Sequence, residues 1–237
     1  MIKKIVPFLL LLALCSVKKT SSLKAYFHRD INVTEPSDIC LTTADPSHYY
    51  IVSNRGSIAE TDSNGKVLRH TKLDGSDYEA VCVKDNMIYA LDESFRRVDV
   101  FSETDLSLKK SYVLNYSGAR NKGFEGLTYI PEQKKFIAVI EKPGIIFEFN
   151  EQFQVINSIK LKQFFELSSA TYHDGFLWFL SDEDHEVMKV NLENYAIIDR
   201  WSIPVINPEG ICFATNGDLL IVSDDMSSLF KFKIPNP

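Results

Sequence analysis

Short apolar runs separated by turn residues dominate the chain from residue 24 onwards. Five five-residue segments align with one another and begin 41 to 46 residues apart: 37–41, 79–83, 125–129, 168–172 and 209–213. Each is followed by a turn, a second apolar run and a third, alternating run, and most repeats add a fourth. Four short strands in a repeat of about 43 residues are typical of a propeller blade. The pattern therefore predicts an all-β, five-bladed β-propeller with four-stranded blades.

The two ends of this region predict how the ring closes. The fifth repeat stops after its third strand at Phe232, whereas an unassigned run, Lys24–Ile31, precedes the first repeat. We expect Lys24–Ile31 to supply the outer strand of the last blade, because pairing the termini removes the open sheet edges that invite aggregation. A single propeller domain is therefore predicted over residues 24–237.

Three cysteines occupy the same position in three of the five aligned segments. They are Cys40, Cys82 and Cys212, and the other two repeats have Thr128 and Thr171 there. A position shared by Cys and Thr calls for a small side chain, and buried Cys behaves as a small hydrophobe. We interpret the three cysteines as packing thiols rather than as disulfide partners or metal ligands.

The first 15 residues predict an export signal. The apolar run Ile5–Leu14 follows two lysines and spans about 15 Å as a helix, half of a bilayer core. The end of this run, Leu12-Ala13-Leu14-Cys15, resembles a bacterial lipobox, in which the cysteine carries the lipid. Residues 1–15 are thus interpreted as a signal peptide or lipoprotein signal with Cys15 as candidate lipid anchor. The expected location is exported, either periplasmic or membrane-anchored in a bacterial envelope.

Acidic residues recur where each first strand begins and each second strand ends. In a propeller blade these two points meet at one rim, since the second strand runs back along the first. The rim is therefore expected to gather one set of oxygen donors, which we take as candidate metal ligands: Asn54, Glu79, Glu93, Glu125, Glu141, Asp182, Glu183, Glu209 and Asp224.

This concentration of negative charge needs compensation. Two like charges about 6 Å apart repel by about 3 kcal/mol at an effective dielectric constant of 20. A bound cation, neighbouring basic side chains or raised carboxylate pKa values would each relieve the repulsion. An all-oxygen donor set suits calcium. Four basic residues that follow the acidic returns offer the alternative of direct pairing: Arg55, Arg96, Arg97 and Lys142.

Composition and motifs narrow the classes of function. The chain has 26 Lys+Arg against 32 Asp+Glu, a net charge of −6, which argues against nucleic acid as a partner because phosphate binding needs clustered basic residues. The sequence has no GxSxG, HExxH, Walker or GxGxxG motif. His185, beside an acidic return, is a weak candidate for a general base, and no catalytic residue is assigned.

Several motifs resemble those of the SdiA-regulated (YjiK-like) family. They are Asn121-Lys122-Gly123-Phe124-Glu125-Gly126-Leu127, Pro208-Glu209-Gly210-Ile211 and Leu180-Ser181-Asp182-Glu183. The resemblance covers all five repeats in order and implies a five-bladed propeller, an exported bacterial protein and a calcium ion. It also implies distant similarity to NHL-repeat propellers, some of which are hydrolases. The family's Glu-Gly glutamates correspond to Glu79, Glu125 and Glu209.

Two functions are compatible with these observations. The first is a calcium-binding envelope protein whose propeller rim binds a small ligand, a glycan or a protein. The alternative is a calcium-dependent hydrolase of an ester, lactone or phosphoester, in which the metal polarises the scissile group. Because the sequence shows a carboxylate rim without a recognisable nucleophile, binding is favoured over catalysis.

Overall fold

A computed structural model describes residues 21–115, 123–160, 162–164 and 166–235 of the protein. Within these residues the chain forms 21 strands and a three-residue 3-10 helix, Pro131–Gln133. In chain order the strands are β1 Ser21–Ser22, β2 Ala25–Asp30, β3 Pro36–Leu41, β4 Tyr49–Ser53, β5 Ser57–Thr61, β6 Val67–Lys72, β7 Tyr78–Lys84, β8 Met87–Asp92, β9 Arg97–Ser102, β10 Leu108–Val113, β11 Phe124–Ile130, β12 Lys135–Ile140, β13 Ile145–Phe149, β14 Val155–Lys160, β15 Ser169–His173, β16 Phe176–Ser181, β17 Glu186–Asn191, β18 Ile197–Ser202, β19 Pro208–Phe213, β20 Leu219–Ser223 and β21 Ser228–Phe232.

The strands form five antiparallel blades arranged as a β-propeller, as the repeats predict. Blade I is β3–β6, blade II is β7–β10, blade III is β11–β14 and blade IV is β15–β18. Blade V consists of β19, β20 and β21 with β2 as its outer strand. The first strand of each blade is innermost and contacts the first strands of both neighbouring blades, which closes the ring.

The closing strand behaves as predicted. Strand β2 pairs antiparallel with β21, with Ala25 opposite Phe232 and Asp30 opposite Ser228. One pairing was not anticipated: Ser21 and Ser22 form the short strand β1, which runs parallel to β18 at the outer edge of blade IV. The start of the described chain therefore contacts blade IV before it completes blade V.

Burial follows the position of each strand in its blade. The second strands are buried, β4 along its whole length and β8, β12 and β16 at all but their first residue, because neighbouring blades cover both of their faces. The outer strands, such as β10, are mostly exposed. Close approach at the axis requires glycine at Gly210, where a Cβ atom would lie 2.6 Å from the Cα of Asp38. This is why an inner strand that reads Glu-Gly suits the centre of the ring.

The predicted signal and the candidate anchor Cys15 lie outside the described residues. No helix in the described part of the chain is long and apolar enough to cross a membrane. The three repeat cysteines are unpaired: Cys82 and Cys212 are buried and Cys40 is half-buried. Burial raises the pKa of all three thiols, which is consistent with a packing role.

Candidate cation site

A cavity of about 230 Å³ lies on the propeller axis, at the rim where the innermost strands begin. We call it the acidic mouth. Seven of the nine sequence-predicted ligands line it: Asn54, Glu79, Glu125, Glu141, Asp182, Glu209 and Asp224. Three further residues complete the lining: Ser37, Glu166 and Ser168. All five blades therefore contribute an oxygen donor to one small space.

A β-bulge aims the first-strand side chains at the axis. In the first two strands of four blades, the register shifts at the residue that lines the cavity: Ser37, Glu79, Glu125 or Glu209. A bulge leaves one residue out of the ladder and redirects its side chain. The same local defect, repeated around the ring, is what brings separate glutamates together.

The second-strand returns supply the opposite side of the mouth. Asn54, Glu141, Asp182 and Asp224 each stand one residue beyond the end of a second strand. Their counterpart in blade II, Glu93, is not in the lining. Its Oε1 accepts a hydrogen bond of 2.8 Å from the Gly123 amide.

Glu93 nevertheless belongs to a close carboxylate group. One oxygen from each of Asp77, Glu79 and Glu93 lies within 4.8 Å of the other two. Glu79 is shared between this group and the lining of the acidic mouth. Asp77, which sequence reasoning missed, precedes Glu79 by two residues and therefore widens the acidic region on the side of blade II.

Glu183 takes part in an ion pair. Its carboxylate lies 2.7 Å from Lys142 Nζ, and the same ammonium group lies 3.1 Å from Glu141 Oε1. Lys142 is thus a basic side chain that contacts a carboxylate of the lining. At this edge of the mouth, a basic side chain therefore compensates part of the negative charge, as the alternative to a bound cation predicts.

Arg55 and Arg97 form ion pairs with acids outside the lining, although the charge of Arg55 also lowers the pKa of Asp224, which burial raises. Arg55 forms an ion pair with Glu35, and Arg97 lies 2.9 Å from Asp99 and 3.5 Å from Asp92. Arg96 lowers the pKa of Glu93, which burial raises. None of these contacts involves Glu79, Glu125 or Glu209.

Glu166 is the most deeply buried carboxylate of the lining, and sequence reasoning missed it. Only 1% of the residue is exposed. Its Oε2 accepts hydrogen bonds from Ser181 Oγ at 2.5 Å and from the Glu183 amide at 3.2 Å. Its Oε1 has no hydrogen-bond partner among the described residues, and the same holds for Asn54 Oδ1. Glu166 precedes Ser168 by two residues, as Asp77 precedes Glu79. An acid two residues before the start of an aligned segment is therefore the sequence feature that could have identified Glu166.

Burial and mutual repulsion raise the pKa values in the mouth. Burial, followed by the charges of Asp182 and Asp224, raises the pKa of Glu209 to about 8. Burial raises the pKa of Glu166 to about 7. The pKa values of Glu79 and Glu125 lie well above the usual range, again chiefly through burial and then through neighbouring carboxylates. Any cation that enters the mouth would relieve this cost.

Asp38 is a buried carboxylate on the inner strand of blade I, next to Ser37 of the mouth lining. It is 1% exposed and stands where the other blades have Ala, Gly or Ser. Its carboxylate accepts hydrogen bonds from the Val81 amide at 2.8 Å and from Ser169 Oγ at 2.9 Å. Burial raises its pKa to about 8, although hydrogen bonds from these groups and from the Ile39 and Ile211 amides lower it. Asp38 therefore ties together blades I, II, IV and V at the axis.

His185, the weak catalytic candidate, lies outside the cavity. Its side chain is exposed and is not part of the lining. Its backbone closes the turn after β16, since its amide bonds the Asp182 carbonyl at 3.1 Å and its carbonyl accepts the Ile203 amide at 2.9 Å. Its charge lowers the pKa of Asp182, against the larger effect of burial.

The fold and the mouth define a five-bladed β-propeller with a carboxylate-lined axial cavity. The sequence profile of the SdiA-regulated family matches residues 30–233, and the chain belongs to that family. No curated protein matches the sequence.

Two solved structures are similar in fold. Glutaminyl cyclase from Myxococcus xanthus has a TM-score of 0.75 at 10% identity, and the similarity covers 90% of this chain and 96% of that one. A protein of unknown function from Bacteroides caccae has a TM-score of 0.57 at 13% identity and covers 80% and 70% of the two chains. At these identities the likeness shows the fold alone.

Proposed function

We propose that the acidic mouth binds a divalent cation and that calcium is the ion its donors suit. Every side-chain donor in the lining is an oxygen or an amide group, and calcium takes six to eight oxygen ligands from carboxylates, amide and hydroxyl oxygens, carbonyls and water. His and Cys, which favour zinc or copper, are not among the described residues of the lining. The resemblance between this chain's Glu-Gly repeats and the SdiA-regulated motifs agrees with the donor chemistry.

One observation carries this proposal: Glu166 Oε1 lacks a partner although the side chain is buried in the lining. A buried acceptor without a donor is costly, so native proteins nearly always satisfy such atoms. A cation would satisfy Glu166 Oε1 and Asn54 Oδ1 and also offset the repulsion among Glu79, Glu125 and Glu209. We expect the ion to lie among these five side chains on the side of Glu79, which also belongs to the one group of three acids among the described residues whose oxygens lie within 4.8 Å of one another.

With the ion in place, the protein would act as a binding module. The ion would supply positive charge that fixes the loops after the second strands in one arrangement. Propeller rims are rigid scaffolds that carry variable loops, which suits recognition. The partner at this rim would be a small ligand, a glycan or a protein.

Calorimetry on metal-stripped protein tests the cation proposal. At 100 times the dissociation constant, calcium should stabilise the fold by about 2.7 kcal/mol, which raises Tm by roughly 5–10 °C in a domain of this size. Glu125→Gln should weaken binding, whereas Glu193→Gln, an exposed acid beyond the end of β17, should leave it unchanged. No heat of binding and no rise in Tm at millimolar calcium would contradict the proposal.

Catalysis in the same cavity is the second candidate. Glu166 favours it, because a buried carboxyl with a pKa of about 7 is suited to proton transfer near neutral pH. The similarity in fold to a glutaminyl cyclase adds a substrate worth testing. Chromogenic esters, lactones and phosphoesters, together with a peptide bearing N-terminal glutamine, should be assayed with and without calcium. Turnover that Glu166→Gln abolishes would favour catalysis, and binding of calcium without turnover would favour the binding module.

We also propose that the protein is exported and anchored through Cys15. The support is the lysine-led apolar run and the lipobox-like residues before Cys15. Labelling of cells with radioactive palmitate should mark the wild-type protein and not Cys15→Ala. Recovery of both forms, unlabelled, in the soluble cytoplasmic fraction would contradict export.

A further inference from the structure

A second cavity lies on the outside of the ring, where blade I faces blade V. It has a volume of about 370 Å³, within the range of small-molecule sites. We call it the outer groove and define it by six of its lining residues: Thr34, Arg55, Ser57, Ala59, His70 and Lys72. It shares no lining residue with the acidic mouth.

Strand register explains the wall of the outer groove. Ser57 is directly opposite Lys72, and Ala59 is directly opposite His70. Directly opposite residues project from the same face of a sheet, so these four side chains share one face of blade I. Arg55, in the turn between β4 and β5, adds a second permanent cation.

The other wall and the floor are apolar and hydroxylic. Residues 32–34, which connect blade V to blade I, form the facing wall. Val33 and Ala59 are buried at 4% and 3% exposure. Ser53 Oγ and Ser57 Oγ lie 2.8 Å apart and share a hydrogen bond, which leaves a hydroxyl acceptor or donor for a ligand. The groove thus combines an apolar base with polar groups at its edge.

Charge sets the outer groove apart from the rest of this acidic protein. Its charged and titratable lining groups are Arg55, Lys72 and His70, and no Asp or Glu is among the described residues that line it. Arg55 pairs with Glu35, and Lys72 lies 3.4 Å from Asp74, at the surface. Both cationic side chains are more than half exposed, and exposed pairs of this kind contribute little. An incoming anion can therefore replace the acidic partners.

From this arrangement we infer that the outer groove binds a small organic anion, one carboxylate or phosphate monoester group on a compact apolar body. The anionic group would lie between Arg55 and Lys72, with His70 and the Ser57 hydroxyl as further donors, because Ser53 is fully buried. The apolar body would cover Val33 and Ala59. The groove and the acidic mouth have no lining residue in common, but Arg55 follows Asn54 in the chain and its charge lowers the pKa of Asp224, which burial raises.

Isothermal titration with benzoate, phenyl phosphate and the neutral benzyl alcohol tests the inference. At least one anion should bind with a dissociation constant below about 1 mM, and benzyl alcohol should bind at least tenfold more weakly, because charge-assisted hydrogen bonds carry the anion. The preferred anion distinguishes a carboxylate ligand from a phosphate ligand. The anion should bind to metal-free as well as to calcium-loaded protein, since none of the groove's donors lines the acidic mouth.

Variants locate the binding. Arg55→Gln and Lys72→Gln should each weaken the anion about tenfold. Lys109→Gln is the matched control, since Lys109 is also on an outer strand and lies 3.6 Å from an exposed aspartate. Thr34→Trp should block the groove without changing its charge, and its unchanged Tm would show that the fold persists. Absence of anion binding at 10 times the expected constant, or equal binding by wild type and Thr34→Trp, would overturn the inference.

Discussion

The two ends of the propeller axis differ although the same five strands build both. At the acidic mouth, the starts of three inner strands contribute glutamates whose pKa values are raised, and the other two contribute serines. At the other end, the same strands line a cavity of about 190 Å³ with Cys40, Cys82, Cys212, Thr128 and Thr171. Asp38 is buried on the inner strand of blade I, between Ser37, which lines the mouth, and Ile39, which lines the other cavity. Small neutral groups can be packed at no electrostatic cost, whereas converging carboxylates destabilise the fold unless something binds them. The difference supports the proposal that the mouth, rather than the thiol end, is the functional end.

A substitution of the buried Asp38 should have the largest effect of any single change on the free energy of unfolding. Asp38→Ala should lower the free energy of unfolding by about 3–5 kcal/mol, because it leaves Val81 N and Ser169 Oγ buried without an acceptor. Urea unfolding measures the loss. Asp74→Ala, which removes an exposed carboxylate, should leave stability unchanged. Equal stability of Asp38→Ala and wild type would mean that the hydrogen bonds from Val81 and Ser169 to this side chain do not stabilise the ring.

The stability of the metal-free protein as a function of pH provides the second test of the acidic mouth. The pKa values of Glu209 and Glu166, about 8 and about 7, lie above the value near 4.5 expected when unfolded, so the folded state binds more protons between these limits. This contribution is complete below pH 4.5 and is lost as pH rises through 7 to 8. Glu166 alone should lower the stability by about 2–3 kcal/mol between pH 5 and pH 8, and Glu209 adds to this fall.

Saturating calcium should flatten that pH profile, since the ion takes the place of the protons. Calorimetric scans of metal-free and calcium-loaded protein across this range provide the measurement. A metal-free Tm that is constant or rises from pH 5 to pH 8 would show that ionised carboxylates in the mouth do not destabilise the fold.

Glu209→Gln tests whether a single charge in the acidic mouth destabilises the metal-free protein. Without metal at pH 8 it should stabilise the protein by about 1–2 kcal/mol, since it removes a charge that Asp182 and Asp224 repel. The same variant should lose most of the calcium-induced rise in Tm. Glu193→Gln serves as the control. A variant that loses stability in the metal-free state would indicate that Glu209 is already compensated within the protein.

The smallest effect is expected at the thiol end. Cys82→Ala should lower the free energy of unfolding by about 1 kcal/mol, because it removes a small buried group and the neighbouring side chains fill only part of the space. The calcium-induced rise in Tm should stay the same. Thermal scans with and without calcium test both statements. A changed calcium affinity in Cys82→Ala would mean that the two ends communicate through the inner strands.

The sequence predicts the blades well because each repeat is a self-similar unit, and it predicts the ring closure because one strand is missing at Phe232 and one is spare at Lys24–Ile31. The positions of the glutamates are predicted by the same alignment of repeats. The bulges cannot be predicted from it, because a one-residue register shift does not change the pattern of apolar residues.

Glu166 and Asp38 were missed for different reasons. The position of Glu166 is not repeated as an acid in every blade: the equivalents in the other four are Glu35, Asp77, Gly123 and Asn207. Asp38 is a single departure from a run of small residues, so its alignment position predicts packing and not a carboxylate on the axis. The pairing of β1 with β18 involves only two serines and carries no hydrophobic signal at all.

A crystal structure of the protein grown with calcium, with anomalous data collected, tests the central claim most directly. The account predicts an anomalous peak in the acidic mouth, with oxygen atoms from Glu79, Glu125, Glu209 or Glu166 at about 2.3–2.6 Å from the ion. A mouth that holds only water at saturating calcium, or one filled by the Lys142 side chain paired with several of the glutamates, would contradict it.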